Sequence, residues 1–427
     1  MQVDGDKQRR TPIRQLLAKR SFLQWLAADA INTLGSGISS VVLPILVYDR
    51  TGSAAQTGVV FGLRVVPYLL LGLIAGPIAD RFDRKRLLVL GLVGEGLAMA
   101  TIPVANMFAP VSVLQIYAVT LAASVCFVFS DAATFGALPT ITGATLLPAA
   151  NGLLTSLGSA ALIAGPAVGA VLTGWIGAAP TIWFDAASFA LAAAALGGIP
   201  GSFRVATEAR ASTSIRRQAA EGLRFIATER AVLTLILVGF INSLAFGAVL
   251  GQIVVYADRA LHLPRGNAKV GLLFTAGAVG TLLAGAVFAR LFTIRRIRVI
   301  TPTALAAAAL IAVGLATTSA FVVAAGLYVL FSLAIQLVIT VGITYRQLAS
   351  PDHLVSSVNV VGRMVAWGGQ PFGALLGGLA AEQFGIRSMT LLAAGCFGAA
   401  SVYAFVGLRR TITPDPGGAV MRCGRPM

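Results

Sequence analysis

Residues 56–109 read QTGVVFGLRVVPYLLLGLIAGPIA, then DRFDRKR, then LLVLGLVGEGLAMATIPVANMFA. Two apolar runs, 56–79 and 87–109, flank a charged break at 80–86. A bilayer core about 30 Å thick needs roughly 20 helical residues per crossing. Each run is therefore long enough to cross, and the break is a turn at one membrane face. A transmembrane β-barrel would show segments of alternating apolar and polar residues, and neither run does. The stretch is a helical hairpin built for lipid.

The same pattern continues on both sides of it. Twelve spans are expected, at 22–47, 56–79, 87–109, 111–134, 153–175, 180–199, 231–256, 270–291, 299–317, 321–343, 357–381 and 388–407. Hydrophobic residues make up 57% of the chain and charged ones 11%. That excludes a soluble globule, in which about a quarter of residues are charged. The 47 glycines suit helices that approach closely where lipid offers no hydrophobic drive for association. The expected fold is an all-α polytopic membrane protein of 12 transmembrane helices, arranged as two six-helix bundles.

The basic residues orient it. With the N-terminus inside, 25 of the 32 lysines and arginines fall in cytoplasmic segments and five outside, and Arg64 and Arg363 lie within spans. Both termini are then cytoplasmic and the protein sits in the cell membrane. The net charge of +16 reads as this topology signal; nucleic-acid binding is not expected, because the charges are scattered over separate loops. The first 20 residues are polar and basic with no short apolar core, so no cleavable signal peptide is expected. Three cysteines make no framework, and His262 and His353 fall on opposite sides of the membrane. Metal sites, cofactors and a hydrolytic centre are accordingly not expected, and the chain reads as a non-enzyme.

The most polar stretch, 200–230, divides the chain into a cytoplasmic segment 1–21, a bundle 22–199, a linker 200–230, a second bundle 231–407 and a tail 408–427. Within the linker, Ile215 to Ile226 carries apolar residues at helical spacing beside Arg216, Arg217, Glu221 and Arg224, which predicts a short surface helix. The halves echo each other. Gly76, Arg81 and Arg86 recur as Gly285, Arg290 and Arg295 at a shift of 209, and Pro166 recurs as Pro371 at a shift of 205. Parallel repeats of this kind place a binding site between the halves near the midplane.

The break at 80–86 carries more than topology. Gly76, Asp80, Arg81, Asp83, Arg84, Lys85 and Arg86 resemble the signature loop of the major facilitator superfamily, Gly-x-x-x-Asp-Arg-x-x-Arg-Arg/Lys. The resemblance extends over most of residues 20–410 and is similar to the twelve-span drug-efflux branch, with macrolide efflux proteins and the enterobactin exporter. It is carried by Leu43-Pro44, Arg64 with Pro67, Leu138-Pro139, Gly165-Pro166, Glu221-Gly222-Leu223-Arg224-Phe225 and Val358-Asn359 with Arg363. It implies that the loop, with Asp131 at the inner end of span 4, latches the halves in an outward-open state. It also implies that spans 1, 4, 7 and 10 line the cavity, so that Asn32, Asn242 and Gln336 are candidate substrate contacts or interhelical hydrogen-bonding groups. Three departures stand out: Ser36 where many relatives carry an aspartate, Ser356-Ser357 where a Gly-Arg pair is common, and Glu95 where a basic residue is common.

A charge at mid-bilayer costs at least roughly 2.5–3.5 kcal/mol, so each ionisable group inside a span needs a partner, water or a proton. At 1.5 Å per residue, Asp29 lies about 10 Å, Glu95 about 12 Å, Arg363 about 9 Å and Arg64 about 22 Å from the inner face. Asp29 and Glu95 are the candidates for proton coupling; Asp29 reads equally as the partner of Arg64 or Arg363. The two arginines are candidates for structure or gating, and Trp367 for stacking an aromatic ligand or for packing. The expected function is proton-coupled export of amphipathic small molecules by alternating access, with substrate, protons and membrane lipid as partners of a monomer. A lysophospholipid flippase-like carrier and a transport-inactive sensor or scaffold are the alternatives.

Overall fold

The computed structural model describes residues 12–143, 145–201, 203, 215–264, 267–351 and 354–411. These residues form sixteen α-helices and a single 3₁₀ turn, with no strand among them. In chain order the helices are α1 (Pro12–Leu17), α2 (Arg20–Thr51), α3 (Ala54–Arg81), α4 (Arg84–Asn106), α5 (Val113–Thr142), α6 (Leu147–Ile176) and α7 (Ala178–Gly197). There follow α8 (Ile215–Thr228), α9 (Arg230–Leu250), α10 (Ile253–Arg259), α11 (Lys269–Leu291), α12 (Ile297–Thr317), α13 (Phe321–Ala349), α14 (Val355–Trp367), α15 (Gly369–Phe384) and α16 (Arg387–Thr411).

Eleven of these helices are long and apolar enough to cross a membrane. The expected span 357–381 is divided: α14 and α15 abut at Gly368 and together cover it. The cause is local. Pro371 has no N–H to give the carbonyl of Trp367, and Gly368 and Gly369 have no Cβ to resist a bend there. With this crossing counted, the chain is an all-helical, twelve-span protein.

Helix ends overrun some of the expected spans. α5 continues to Thr142, and its hydroxyls bond back one turn: Thr134 Oγ1 donates to Ser130 O at 2.9 Å and Thr142 Oγ1 to Leu138 O at 3.1 Å. The carbonyl of Thr142 then accepts from Lys19 Nζ at 3.1 Å, a cation on a helix C-terminus. At the other end Ser112 caps α5 by accepting from Gln115 N.

The helices cluster into two compact units. The first holds α1, α2 as far as Arg50, α3 from Val66 onward, α4 to α7, and α11 as far as Thr275. The second holds the start of α3 as far as Val65, α8 to α10, α11 from Ala276, and α12 to α16. Both α3 and α11 therefore divide their length between the units.

Each unit contains a helix with small residues on two faces. In the first, a Cβ at Gly165 of α6 would lie 2.7 Å from Leu34 O of α2, and one at Gly271 of α11 would lie 2.6 Å from Pro166 O. In the second, α15 carries Gly369, Gly373 and Gly377 four residues apart against α9; a Cβ at Gly373 would stand 1.8 Å from Leu244 O. On the opposite face of α15, a Cβ at Gly58 of α3 would be 2.4 Å from Ala374 O. Backbones in such contact gain van der Waals attraction that any larger side chain would forbid.

Candidate functional site

Polar groups on three helices of the first unit, with apolar residues of a fourth, meet round a cavity of 190 Å³. α2 contributes Trp25, Asp29 and Asn32, spaced three and four apart so that they share one helix face. α4 contributes Leu88, Leu92 and Glu95 by the same spacing, α5 contributes Phe127, Ser130, Asp131 and Thr134, and α7 closes the cavity with Ala192 and Leu196. Three carboxylates, those of Asp29, Glu95 and Asp131, thus border one small space in a unit otherwise made of apolar helices.

Glu95 is buried, 4% exposed. Ser130 Oγ stands 3.1 Å from Glu95 Oε1 and 3.0 Å from Cys126 O. A hydroxyl carries one proton to donate, so Ser130 serves one acceptor at a time. Gly91 makes the room: a Cβ there would lie 2.0 Å from Ser130 Oγ, and one at Gly94 would lie 2.7 Å from Cys126 Sγ. Asp29 is half-buried, and among the described residues no hydrogen bond or ion pair reaches it. Asn32 Oδ1 is buried with no hydrogen-bond partner there.

Above this cavity α2 is tied to α7. Ser39 Oγ donates to Asp185 Oδ2, and Ser188 Oγ donates to Asp185 O at 2.8 Å. Both Ser39 and Asp185 are fully buried. Gly35 admits the contact, since a Cβ there would lie 1.9 Å from Ser188 Oγ.

The second unit carries the opposite charge. Arg346, near the end of α13, is 4% exposed and its Nε has no hydrogen-bond partner among the described residues. Its stem lies on Gly362 of α14, where a Cβ would come within 2.9 Å of Arg346 Cδ, so the absence of a side chain there is what lets the arginine lie down. The next residue is Arg363, whose guanidinium sits 5.5 Å from the ring centroid of Trp367 and repels that of Arg346. The Arg363–Trp367 contact is a cation–π pair at helical spacing. Asn242 on α9 is fully buried, and neither amide atom has a hydrogen-bond partner among the described residues. Gln336 on α13 is spent locally, its Nε2 donating to Thr340 Oγ1 at 3.4 Å.

The signature-loop residues divide. Gly76, Asp80 and Arg81 stand at the C-terminal end of α3, with their side chains outside the described residues. Asp83 caps α4 by accepting from Lys85 N at 2.9 Å, and Lys85 Nζ donates to Ile199 O beyond α7 at 2.6 Å. Arg84 and Arg86 are in the first turn of α4. Arg64 lies in the part of α3 that packs in the second unit. The sequence could not show that Glu95, on the third span, shares a cavity with Asp29, nor that Ser130 would face it; the glycine at 91, four residues before Glu95, was the available signal.

Comparison with known proteins agrees with this architecture. The profile of the Major Facilitator Superfamily matches residues 26–368. The multidrug efflux pump Tap of Mycobacterium tuberculosis is 28% identical over 223 residues, 49% of this chain and 52% of that protein, so the match spans about half of each. The pump of the same name from Mycolicibacterium fortuitum is 27% identical over 381 residues, 84% of this chain and 88% of that one. Among solved structures, a mutant of the nucleoside transporter NupG superposes with a TM-score of 0.75 at 12% identity, covering 91% of this chain and 99% of that one. A bacterial homologue of the lysosomal transporter Spinster superposes with a TM-score of 0.74 at 14% identity, covering 94% and 98%. The chain belongs to the Major Facilitator Superfamily, as a multi-pass membrane protein similar to multidrug efflux pumps.

Proposed function

We propose that the protein is a proton-coupled exporter of amphipathic small molecules, working by alternating access with both termini in the cytoplasm. The observation that carries this reading is the 190 Å³ cavity bordered by Asp29, Glu95 and Asp131. Carboxylates inside a membrane-spanning unit are costly unless they work, and three round one space form a relay that can take and release a proton. Ser130 follows the protonation of Glu95: it donates to the ionised carboxylate, and turns to the Cys126 carbonyl when Glu95 carries its own proton. Asp29, nearer the inner end of its helix, exchanges that proton with the cytoplasm. Asp80, Arg81 and Arg84, with Asp131, act as the latch that ties this protonation to the alternation of the two halves. The similarity to Tap pumps supports drugs rather than sugars as cargo.

Cells expressing the chain should accumulate a lipophilic dye such as ethidium several-fold less than cells expressing the Asp29→Asn variant at equal protein level, and an uncoupler should erase the difference. Equal accumulation in all three conditions, across a panel of amphipathic compounds, would remove the reading. For the latch, Asp80→Asn should reduce export with expression intact.

A further inference from the structure

A groove in the second unit lies away from its buried arginines. α12 and α16 run antiparallel, so Arg298 at the start of α12 and Arg409 in the last turn of α16 come to the same end of the pair. Between them opens a groove of 910 Å³, at the upper end of the range of ligand pockets, roughly 300–1,000 Å³. From Arg298 to Ala306 along α12, and from Arg409 back to Ser401 along α16, the walls extend about 12 Å and are apolar apart from hydroxyls. Val299, Val402 and Phe405 are 56%, 66% and 43% exposed. The groove has a floor, where Ser401 Oγ donates to Pro302 O at 2.8 Å and closes α16 on α12. It also has a fixed head, because the Arg409 guanidinium stacks 3.9 Å from the centroid of Phe405. Arg295, Arg296 and Arg410 stand exposed near that end.

The geometry points to a binding site for one anionic phospholipid. Two guanidiniums suit a phosphate-bearing headgroup with a net negative charge, and the apolar trench below them suits an acyl chain. A zwitterionic lipid would fill the trench but gain little from the basic pair, and a free phosphate would gain from the pair but leave the trench empty. Basic pockets between membrane helices hold anionic headgroups in this way. The end that carries the arginines is the one the distribution of basic residues assigns to the cytoplasmic leaflet. This site is independent of the transport cycle proposed above.

The test is native mass spectrometry of the full chain in detergent, titrated with phosphatidylglycerol, with phosphatidylcholine of the same chains, and with inorganic phosphate. Phosphatidylglycerol should bind in preference to phosphatidylcholine, and inorganic phosphate at matched concentration should not displace it. The double variant Arg298→Ala/Arg409→Ala should weaken phosphatidylglycerol binding about thirtyfold, from the contribution of two basic groups to an anionic lipid, and Arg298→Lys/Arg409→Lys should retain most of it. Neutralising an equal charge elsewhere, with Arg259→Ala/Arg387→Ala, should change nothing. Val402→Trp keeps every charge and fills the trench, so it should also abolish the preference, and it stands in should the double variant not fold. Equal binding of the two lipids, competition by phosphate alone, or retention of full binding by both the double alanine and Val402→Trp variants would overturn the site.

Discussion

In the first unit α6 packs on α2 through Gly165 and Gly169; in the second α15 packs on α9 through Gly369, Gly373 and Gly377. On its other face each of these helices meets a segment from the opposite sequence half, α11 at Gly271 and α3 at Gly58 and Gly62. Glycines at positive φ follow both helices, Gly177 at 88° and Gly385 at 83°. What is set into this shared frame differs in sign: three carboxylates round a cavity in the first unit, and the Arg346–Arg363 pair beside Trp367 in the second. Backbone contact between small residues fixes how helices approach and asks nothing of the side chains on other faces. A duplicated frame can therefore keep its packing while one copy takes on a carboxylate cavity and the other a basic interior.

The largest effect expected from breaking this division is on coupling. Asp29→Asn should lower pH-driven transport at least tenfold and Glu95→Gln should also impair it, whereas Arg363→Gln should leave the response to a pH gradient in place even where transport slows. If neutralising the arginine removed that response as completely as neutralising the aspartate, the assignment of protons to the first unit would fail. The shared frame is tested next. Gly165→Leu and Gly373→Leu should each destabilise the purified protein by about 1–3 kcal/mol through overpacking, read as a lower melting temperature, and a large asymmetry between them would contradict equivalent roles.

Arg346→Met removes a buried cation that lies beside another. Burying a charge without hydrogen bonds is unfavourable, so this variant should melt at an equal or higher temperature than the parent while transport falls. The smallest effect belongs to Ser130→Ala, which deletes the hydroxyl shared by Glu95 and Cys126 and should cost about 1 kcal/mol, again measured by thermal unfolding.

Much of the frame was legible before any coordinates. Hydropathy runs marked the crossings, and the recurrence of Pro166 as Pro371 announced the equivalence of α6 and α15, which the packing repeats: Pro371 lies against Gly62 and Pro166 against Gly271, 209 positions on. The same recurrence did not reveal the break at Gly368, because Pro166 sits inside an unbroken α6 and only the neighbouring Gly368-Gly369 pair lets the second copy bend. Asp29 and Glu95 could be singled out because ionisable residues in apolar runs are few. Their common cavity could not, since it depends on how α2, α4 and α5 are rotated, and that is fixed by the space left at Gly91 and Gly94. The burial of Arg346 was illegible for a similar reason. Three residues past the expected span 321–343 it reads as a cytoplasmic cation, yet α13 continues beyond it and Gly362 opens a place for its side chain.

The most direct test of the account follows protons in sealed vesicles. With the purified chain inserted so that its cytoplasmic face is outward, and a pH-sensitive dye enclosed, adding an amphipathic substrate outside should release protons from the lumen. That release should be absent in Asp29→Asn vesicles that still bind the substrate. Proton release of equal size from the wild-type and Asp29→Asn proteins, or substrate entry with no proton movement at all, would contradict the claim that the carboxylate cavity of the first unit carries the coupling.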